Sequence, residues 1–195
     1  MKKITTIIGL LFIATNLSFA QMDDMAVGLN GTLSVPIGDF NDIAKMGFGV
    51  SGTFYYDLSD NFQFTGTLGY LAWGGDKLDL AGIATQESKS SFTTIPVLAG
   101  FRYIFQGDNL LPYVSGELGL NVFTTPDIDV VGLNDIVSSS KGETNAYFGF
   151  GLGGGALYEL SRDVKLDGSL TYNIINAENS IGFFSLEFGF IVGIN

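Results

Sequence analysis

The alternation of apolar and polar side chains constrains the fold of this chain more than any other feature of its sequence. The pattern repeats every two residues, which is the period of a β-strand and not that of a helix. It is clear in residues 46–57 and 163–175 and strongest in residues 181–194. In the last segment one face carries Phe184, Leu186, Phe188, Phe190 and Val192, and the other carries Ser185, Glu187 and Gly189. The pattern therefore predicts strands that each have one apolar face.

Eight segments show this alternation, and each reaches the roughly 9–11 residues that a tilted membrane-spanning strand needs. The connections after strands two, four and six are short and polar, whereas those after strands one, three and five are longer, at 36–45, 74–90 and 124–143. Short turns at one end and long loops at the other are typical of outer-membrane barrels. The predicted strands cover residues 25–35, 46–57, 61–73, 91–105, 110–123, 144–158, 163–175 and 181–194.

Composition supports a membrane location without a membrane helix. Hydrophobic residues make up 46% of the chain and the mean hydropathy is +0.33. After residue 20, however, no apolar run approaches the ~20 residues of a membrane helix. We therefore expect an all-β fold, an eight-stranded antiparallel up-and-down transmembrane β-barrel with an apolar outside and a narrow polar lumen. A periplasmic, soluble ligand-binding barrel would have the opposite parity and is the least favoured alternative.

Residues 1–20 have the features of a secretory signal peptide. Two lysines follow the first methionine, an apolar stretch comes next, and Ser18 and Ala20 are small residues at the positions that signal peptidase recognises. We expect cleavage after Ala20, which leaves residues 21–195 as the outer-membrane β-barrel domain. The sequence contains no cysteine, so we expect neither disulfides nor thiolate chemistry.

An internal repeat supports the predicted hairpins. Residues 47–70 align without gaps to residues 149–172, and 10 of the 24 aligned positions are identical. Both segments are predicted to form a strand, a short turn and a strand. Because four predicted strands separate the two copies, the two hairpins should lie on opposite walls of an eight-stranded barrel.

Two segments carry a resemblance to a known family. Residues 94–105 have the sequence TIPVLAGFRYIF, and residues 111–120 have the sequence LPYVSGELGL. Together with the strand pattern around them, they resemble the small outer-membrane barrels of the OmpA/OmpX type, a group often labelled the porin family. The resemblance implies an outer-membrane protein that is surrounded by lipid and lipopolysaccharide and inserted by the barrel assembly machinery. Members of this group commonly end in an aromatic residue, whereas this chain ends in Asn195.

Five charged residues have the parity of the polar face, so we expect them inside the barrel: Arg102, Glu117, Lys165, Asp167 and Glu187. Charges in a narrow, low-dielectric lumen must be paired, because an unpaired buried charge is strongly destabilising. Neighbouring strands should bring Arg102 diagonally toward Glu117, and Lys165 toward Glu187 and Asp167. We expect a structural ion-pair plug, with a gate or an ion path as the less favoured alternative.

Aromatic residues flank several predicted strands. Tyr55 and Tyr103 are expected toward the short turns, and Trp73 and Tyr172 toward the long loops. Aromatic girdles at the two membrane interfaces account for these positions without any ligand.

Composition and motifs argue against several kinds of chemistry. Without residues 1–20 the chain has seven basic residues (9 − 2) and 20 acidic ones, a net charge of −13, so we expect no nucleic-acid partner. The run from Gly149 to Gly154 fits the dinucleotide pattern G-x-G-x-x-G, but the predicted strand continues through it, so we expect no cofactor. The acidic residues in the long loops lack the spacing of an EF-hand, so we predict no metal site.

The sequence contains no histidine, which removes the side chain that most often acts as a general base near neutral pH. We therefore expect a non-enzymatic integral outer-membrane protein whose external loops serve surface interaction or envelope integrity. A small-solute channel is the alternative, although an eight-stranded lumen is normally filled by side chains. The sequence leaves the extracellular ligand open.

Overall fold

The computed structural model describes residues 25–75, 78–80, 84–88, 91–126, 128–132, 136–140, 142–177 and 179–194. The predicted signal peptide lies outside these residues. Eight long strands form the barrel: β1 (Met25–Ile37), β2 (Ala44–Asp57), β3 (Phe62–Gly75), β6 (Phe92–Ile104), β7 (Leu110–Thr124), β10 (Thr144–Glu159), β11 (Val164–Ile175) and β12 (Ile181–Gly193). Four short strands lie between them: β4 (Leu78–Leu80), β5 (Ala84–Ser88), β8 (Ile128–Gly132) and β9 (Ile136–Ser140).

The eight predicted strands are confirmed, with ends that differ by at most two residues. The barrel order is β1-β12-β11-β10-β7-β6-β3-β2, and every neighbouring pair is antiparallel. The first and last strands close the barrel through a register that runs from Ala26 opposite Gly193 to Ile37 opposite Gly182. The two hairpins of the internal repeat, β2–β3 and β10–β11, lie on opposite sides of the barrel as predicted.

The two longest loops contain strands that the sequence patterns did not predict. The hairpin β4–β5 lies between β3 and β6, and the hairpin β8–β9 lies between β7 and β10. Strand β5 pairs with β8, so the two loops form one four-stranded antiparallel sheet in the order β4-β5-β8-β9. This order repeats that of the barrel strands from which the loops come, β3-β6-β7-β10. We call it the external sheet, and we call the two ends of the barrel the loop end and the turn end.

The two faces of the barrel have the predicted character. Large apolar side chains cover the outside and are widely exposed, among them Leu29, Phe48, Leu118, Leu152 and Phe188. Small and polar residues face the lumen, such as Ser51, Thr53 and Thr171. An apolar band that surrounds the whole barrel is unfavourable in water and is suited to contact with lipid. This parity is opposite to that of a soluble ligand-binding barrel. No helix in the described part of the chain is long and apolar enough to cross a membrane.

Two members of the predicted aromatic girdles lie inside the barrel instead. Tyr55 and Trp73 are completely buried and face the lumen. Both have lumen parity, since Tyr55 is two residues from Thr53 and Trp73 is two residues from Leu71. The prediction that they belong to the girdles was therefore wrong. It used their position near the strand ends, whereas parity determines the face of a strand on which a side chain lies.

The lipid-facing assignment makes a prediction about a matched pair of leucines. Leu152 lies near the middle of β10 and is 63% exposed, whereas Leu160 lies in the next turn and is 53% exposed. We expect Leu152→Arg to lower the free energy of unfolding in lipid vesicles by about 2–4 kcal/mol, and Leu160→Arg by at most about 1 kcal/mol. Reversible urea unfolding measures both. Equal, small effects would contradict the lipid assignment, because exposed positions in a water-soluble protein tolerate either change.

Candidate functional site in the barrel lumen

Aromatic rings close the loop end of the lumen. Between β1 and β2 the chain forms a 3-10 turn over residues 38–42, and Gly38 adopts the positive φ of +60° at its start. Phe40 on this turn packs edge-on against Trp73 with a centroid distance of 5.3 Å. The indole nitrogen of Trp73 donates a hydrogen bond to Ser34 Oγ at 2.9 Å. We call this cluster the aromatic plug, which consists of Phe40, Trp73, Phe92, Phe123 and Phe183.

A second buried layer closes the turn end. It contains Tyr55, Tyr113, Leu157 and Ile191, each at most 4% exposed. Ala26, Ile104 and Leu111 pack against it and are partly buried. The lumen is therefore closed by apolar and aromatic packing at both ends.

Arg102 lies against this second layer and bridges the lumen. Its Nη1 is 2.9 Å from Asp167 Oδ2, and both side chains are almost completely buried. The guanidinium carbon is 4.8 Å from the centre of the Tyr55 ring and 4.4 Å from that of Tyr113, so the cation lies between two aromatic faces. Tyr113 also donates a hydrogen bond from its hydroxyl to Asp167 Oδ1 at 2.7 Å. We call these four residues the arginine cluster.

The arginine cluster joins separate walls of the barrel. Arg102 lies on β6 and Asp167 on β11, with β10 and β7 between them in the barrel order. Charged contacts of this kind can stabilise a closed barrel only if both partners are held in place, since either charge alone would be buried without compensation. The sequence analysis did not predict that Tyr55 and Tyr113 lie in the lumen beside the charged residues. Parity would have identified Tyr113, which is four residues from Glu117 on the same strand.

The lumen charges pair differently from the sequence prediction. Arg102 contacts Asp167 across the lumen and forms no ion pair with Glu117 within 4 Å. Lys165 pairs with Glu159 at 3.2 Å, at the rim of the turn end. The strand register explains this second difference. Lys165 lies directly opposite Glu159, whereas Glu187 lies opposite Ser169, four residues or about 13 Å further along β11.

Between the aromatic plug and the arginine cluster lies a polar chamber of about 80 Å³. Glu117 and Glu187 both line it and are close enough for their charges to interact. Thr32 donates a hydrogen bond to Glu187 Oε1 at 3.3 Å, whereas the carboxylate of Glu117 has no hydrogen bond or ion pair with another described residue. The remaining chamber wall is rich in hydroxyl and amide groups, including Ser51, Thr94, Asn121, Asn173 and Ser185.

The glycines of the G-x-G-x-x-G run provide space for lumen side chains. The run lies within the continuous strand β10, and its residues Gly149, Gly151 and Gly153 face the lumen. A Cβ placed on Gly151 would lie 3.0 Å from Glu117 Oε1. One placed on Gly155 would lie 2.7 Å from the hydroxyl of Tyr113. The pattern thus accommodates a crowded lumen and does not begin a phosphate-binding helix.

The arrangement resembles a structural core more than a catalytic centre. Its strongest polar contacts satisfy one another, and the apolar layers shield them from water on both sides. Within the residues that the structure describes, no three His, Cys, Asp or Glu side chains converge to form a metal cluster.

Comparisons with known proteins agree with this architecture. The family model described as "Outer membrane protein beta-barrel domain" matches residues 5–191. Neisserial surface protein A is similar in structure, with a TM-score of 0.61, 19% sequence identity, and coverage of 87% of this chain and 97% of that one. Ail, the attachment invasion locus protein of Yersinia pestis, has a TM-score of 0.54 and 14% identity, and the match covers 88% of this chain and 99% of Ail.

The outer membrane enzyme PagL is similar to a comparable degree. Its TM-score is 0.52 at 16% identity, and the match covers 87% of this chain and 99% of PagL. At these identities the three structures share a fold with this chain and nothing more specific. A search of curated protein sequences gave no significant match.

If the arginine cluster stabilises the barrel, the buried pair of Arg102 and Asp167 should be coupled more strongly than the partly exposed pair of Lys165 and Glu159. The charge-removing changes Arg102→Met and Asp167→Asn should each lower the free energy of unfolding by about 3–5 kcal/mol, because each leaves a buried charge unpaired. The double variant should lose far less than the sum of the two. Urea unfolding in detergent micelles provides the double-mutant cycle.

The pair of Lys165 and Glu159 at the turn-end rim, about one third exposed, is the control. The corresponding cycle with Lys165→Met and Glu159→Gln should give a coupling of at most about 1 kcal/mol, since solvent screens this pair. Equal coupling energies in the two cycles would contradict the proposed role of the cluster.

Proposed function

The chain belongs to the outer membrane protein β-barrel family, and from this membership together with its closed lumen we propose that it is a non-enzymatic membrane anchor. The barrel holds the external sheet at the cell surface, and the external sheet makes the interactions. The observation that carries this proposal is that the lumen is closed by packing at both ends while the loops form a sheet of their own. The protein resides in the outer membrane, with its apolar band in the lipid.

The filled lumen favours an anchor over a small-solute channel. A solute would have to displace the aromatic plug at one end and the arginine cluster at the other. The arginine cluster is held by an ion pair, a hydrogen bond and two ring contacts, so opening it would expose buried charges in a narrow lumen. The chamber between these barriers is far smaller than the lumen of a porin.

The external sheet supports a role in surface interaction. Its outer strands β4 and β9 each pair with one neighbour within the sheet, so each has one backbone edge without a partner in that sheet. Such an edge can pair with a strand of another protein, in which case main-chain hydrogen bonds provide affinity. The partner class that fits this edge is an extracellular protein with an extended segment, such as a protein of the extracellular matrix.

The absence of histidine from the sequence supports a non-enzymatic role. The fold alone does not decide this point, since PagL shares it and is an enzyme. Here the ion pair between Arg102 and Asp167 lies behind the apolar layers, and a substrate would have to displace one of these layers to reach it.

The proposed location in the outer membrane requires that the chain is exported and inserted there. We infer that residues 1–20 are removed after Ala20 and that the barrel assembly machinery inserts the remaining chain. Lipopolysaccharide would then be the lipid in contact with the loop end.

Replacement of the loops tests the proposed interaction. In one variant residues 76–90 and 127–141 are each replaced by a short Gly-Asn turn, and in the control the turn at residues 106–109 is replaced in the same way. Cells that express the wild type or the control variant should adhere to an extracellular-matrix coating more strongly than cells with an empty vector. The loop variant should lose this gain.

Folding is checked by the difference in electrophoretic mobility between unheated and boiled samples, which all three proteins should show. Equal adherence of wild-type and empty-vector cells, or full adherence of a folded loop variant, would contradict the proposal.

A further inference from the structure

The polar chamber contains more negative charge than the surrounding protein compensates. Arg102 is committed to Asp167, and Lys165 is bound to Glu159 at the rim. Glu117 and Glu187 therefore face the chamber with no basic side chain within ion-pair distance in the described residues. Two carboxylates in a closed, low-dielectric space strongly favour a counter-charge.

Acceptor oxygens converge at one point of this chamber. A Cβ on Gly151 would lie 2.7 Å from Asn173 Oδ1 and 3.0 Å from Glu117 Oε1, so the two oxygens approach the same small volume. The orientation of the Asn173 amide follows from its nitrogen, which donates to Thr171 O at 3.3 Å and to Ser185 Oγ at 3.1 Å. Since the Thr171 carbonyl can only accept, the amide oxygen is the atom that faces Glu117.

Two further hydroxyl groups in the chamber wall are without partners. Ser51 is 7% exposed and Thr94 is 1% exposed, and neither Oγ of Ser51 nor Oγ1 of Thr94 has a hydrogen-bond partner. Both residues line the same chamber as the two glutamates, with Thr94 at its plug end, opposite Phe123. A buried hydroxyl without a partner is uncommon and indicates a further group in the space that it faces.

We propose that the chamber binds one divalent cation of the Ca²⁺ type between Glu117 and Glu187. Ca²⁺ accepts six to eight oxygen ligands in flexible geometry, and carboxylate, amide, hydroxyl and water oxygens all serve. Its two positive charges balance the two carboxylates. Mg²⁺ fits less well, because it requires a strict octahedral shell and loses its water reluctantly. This site differs from the prediction of no metal site, which concerned the acidic residues of the long loops, because its ligands lie inside the barrel.

The closed ends of the lumen determine how such an ion enters and leaves. The aromatic plug covers the loop end and the arginine cluster covers the turn end, so the ion is taken up as the barrel closes and exchanges slowly afterwards. A chelator that is present during refolding prevents uptake, whereas the same chelator added to the folded barrel removes the ion slowly.

The test refolds the wild-type chain in detergent with CaCl₂, with MgCl₂ or with a chelator and NaCl. After a brief chelator wash of the folded barrel, elemental analysis measures bound metal and a thermal scan measures the unfolding midpoint. We expect about one Ca²⁺ per chain after refolding with CaCl₂, and a midpoint that rises with the Ca²⁺ concentration used for refolding.

Two variants test whether Glu117 and Glu187 are the residues that bind the ion. The double variant E117Q/E187Q should retain no Ca²⁺ and lose the Ca²⁺-dependent shift of the midpoint, while still showing the mobility difference of a folded barrel. E159Q, at the turn-end rim, should retain both. The proposal is overturned if the wild type holds no Ca²⁺ and its midpoint is the same in all three conditions, which would mean that protons neutralise the glutamates. Equal Ca²⁺ in E117Q/E187Q and wild type would also overturn it.

Discussion

The need to pair every backbone N–H and C=O group within lipid is the constraint on which the rest of this structure depends. A closed antiparallel barrel satisfies it, because β1 pairs with β12 and no edge strand remains in the wall. Closure with eight strands then makes the lumen narrow. The pleat of each strand sends alternate side chains to lipid and to this lumen, so that the apolar surplus of the sequence lies outside and the small polar residues lie inside.

A narrow lumen turns its charged residues into elements of the core. Arg102 cannot keep a hydration shell there, and it obtains compensation from Asp167 and from the faces of Tyr55 and Tyr113. The aromatic plug closes the other end by ring packing and by the hydrogen bond from Trp73 to Ser34. In the proposed function, the closed lumen serves as the anchor and the external sheet makes the contacts with partners.

Much of the fold follows from period-two parity, which predicted the eight strands, the outer face and the side of the wall on which Arg102 and Asp167 lie. The charge partners depend on a different quantity, namely the stagger between strands around the closed barrel. That stagger brings Arg102 to Asp167 on a distant wall and leaves Lys165 at the rim beside Glu159. Parity can be read directly from a single sequence. The stagger between neighbouring strands cannot, because it is fixed only when all eight strands pair to close the barrel. The external sheet was missed for a related reason, since its short strands β5 and β8 pair between two loops that are far apart in the chain.

Chemical accessibility of the chamber tests the closed lumen most directly, and the absence of native cysteine makes a single introduced thiol unambiguous. Ser169→Cys places a thiol on the chamber wall, and Ser161→Cys places one in an exposed turn. In folded protein in vesicles that are open to reagent on both sides, a charged thiol reagent should label the Ser161→Cys variant rapidly and leave the Ser169→Cys variant unlabelled until it is unfolded. Rapid labelling of the folded Ser169→Cys variant would contradict the closed lumen and favour a solute channel.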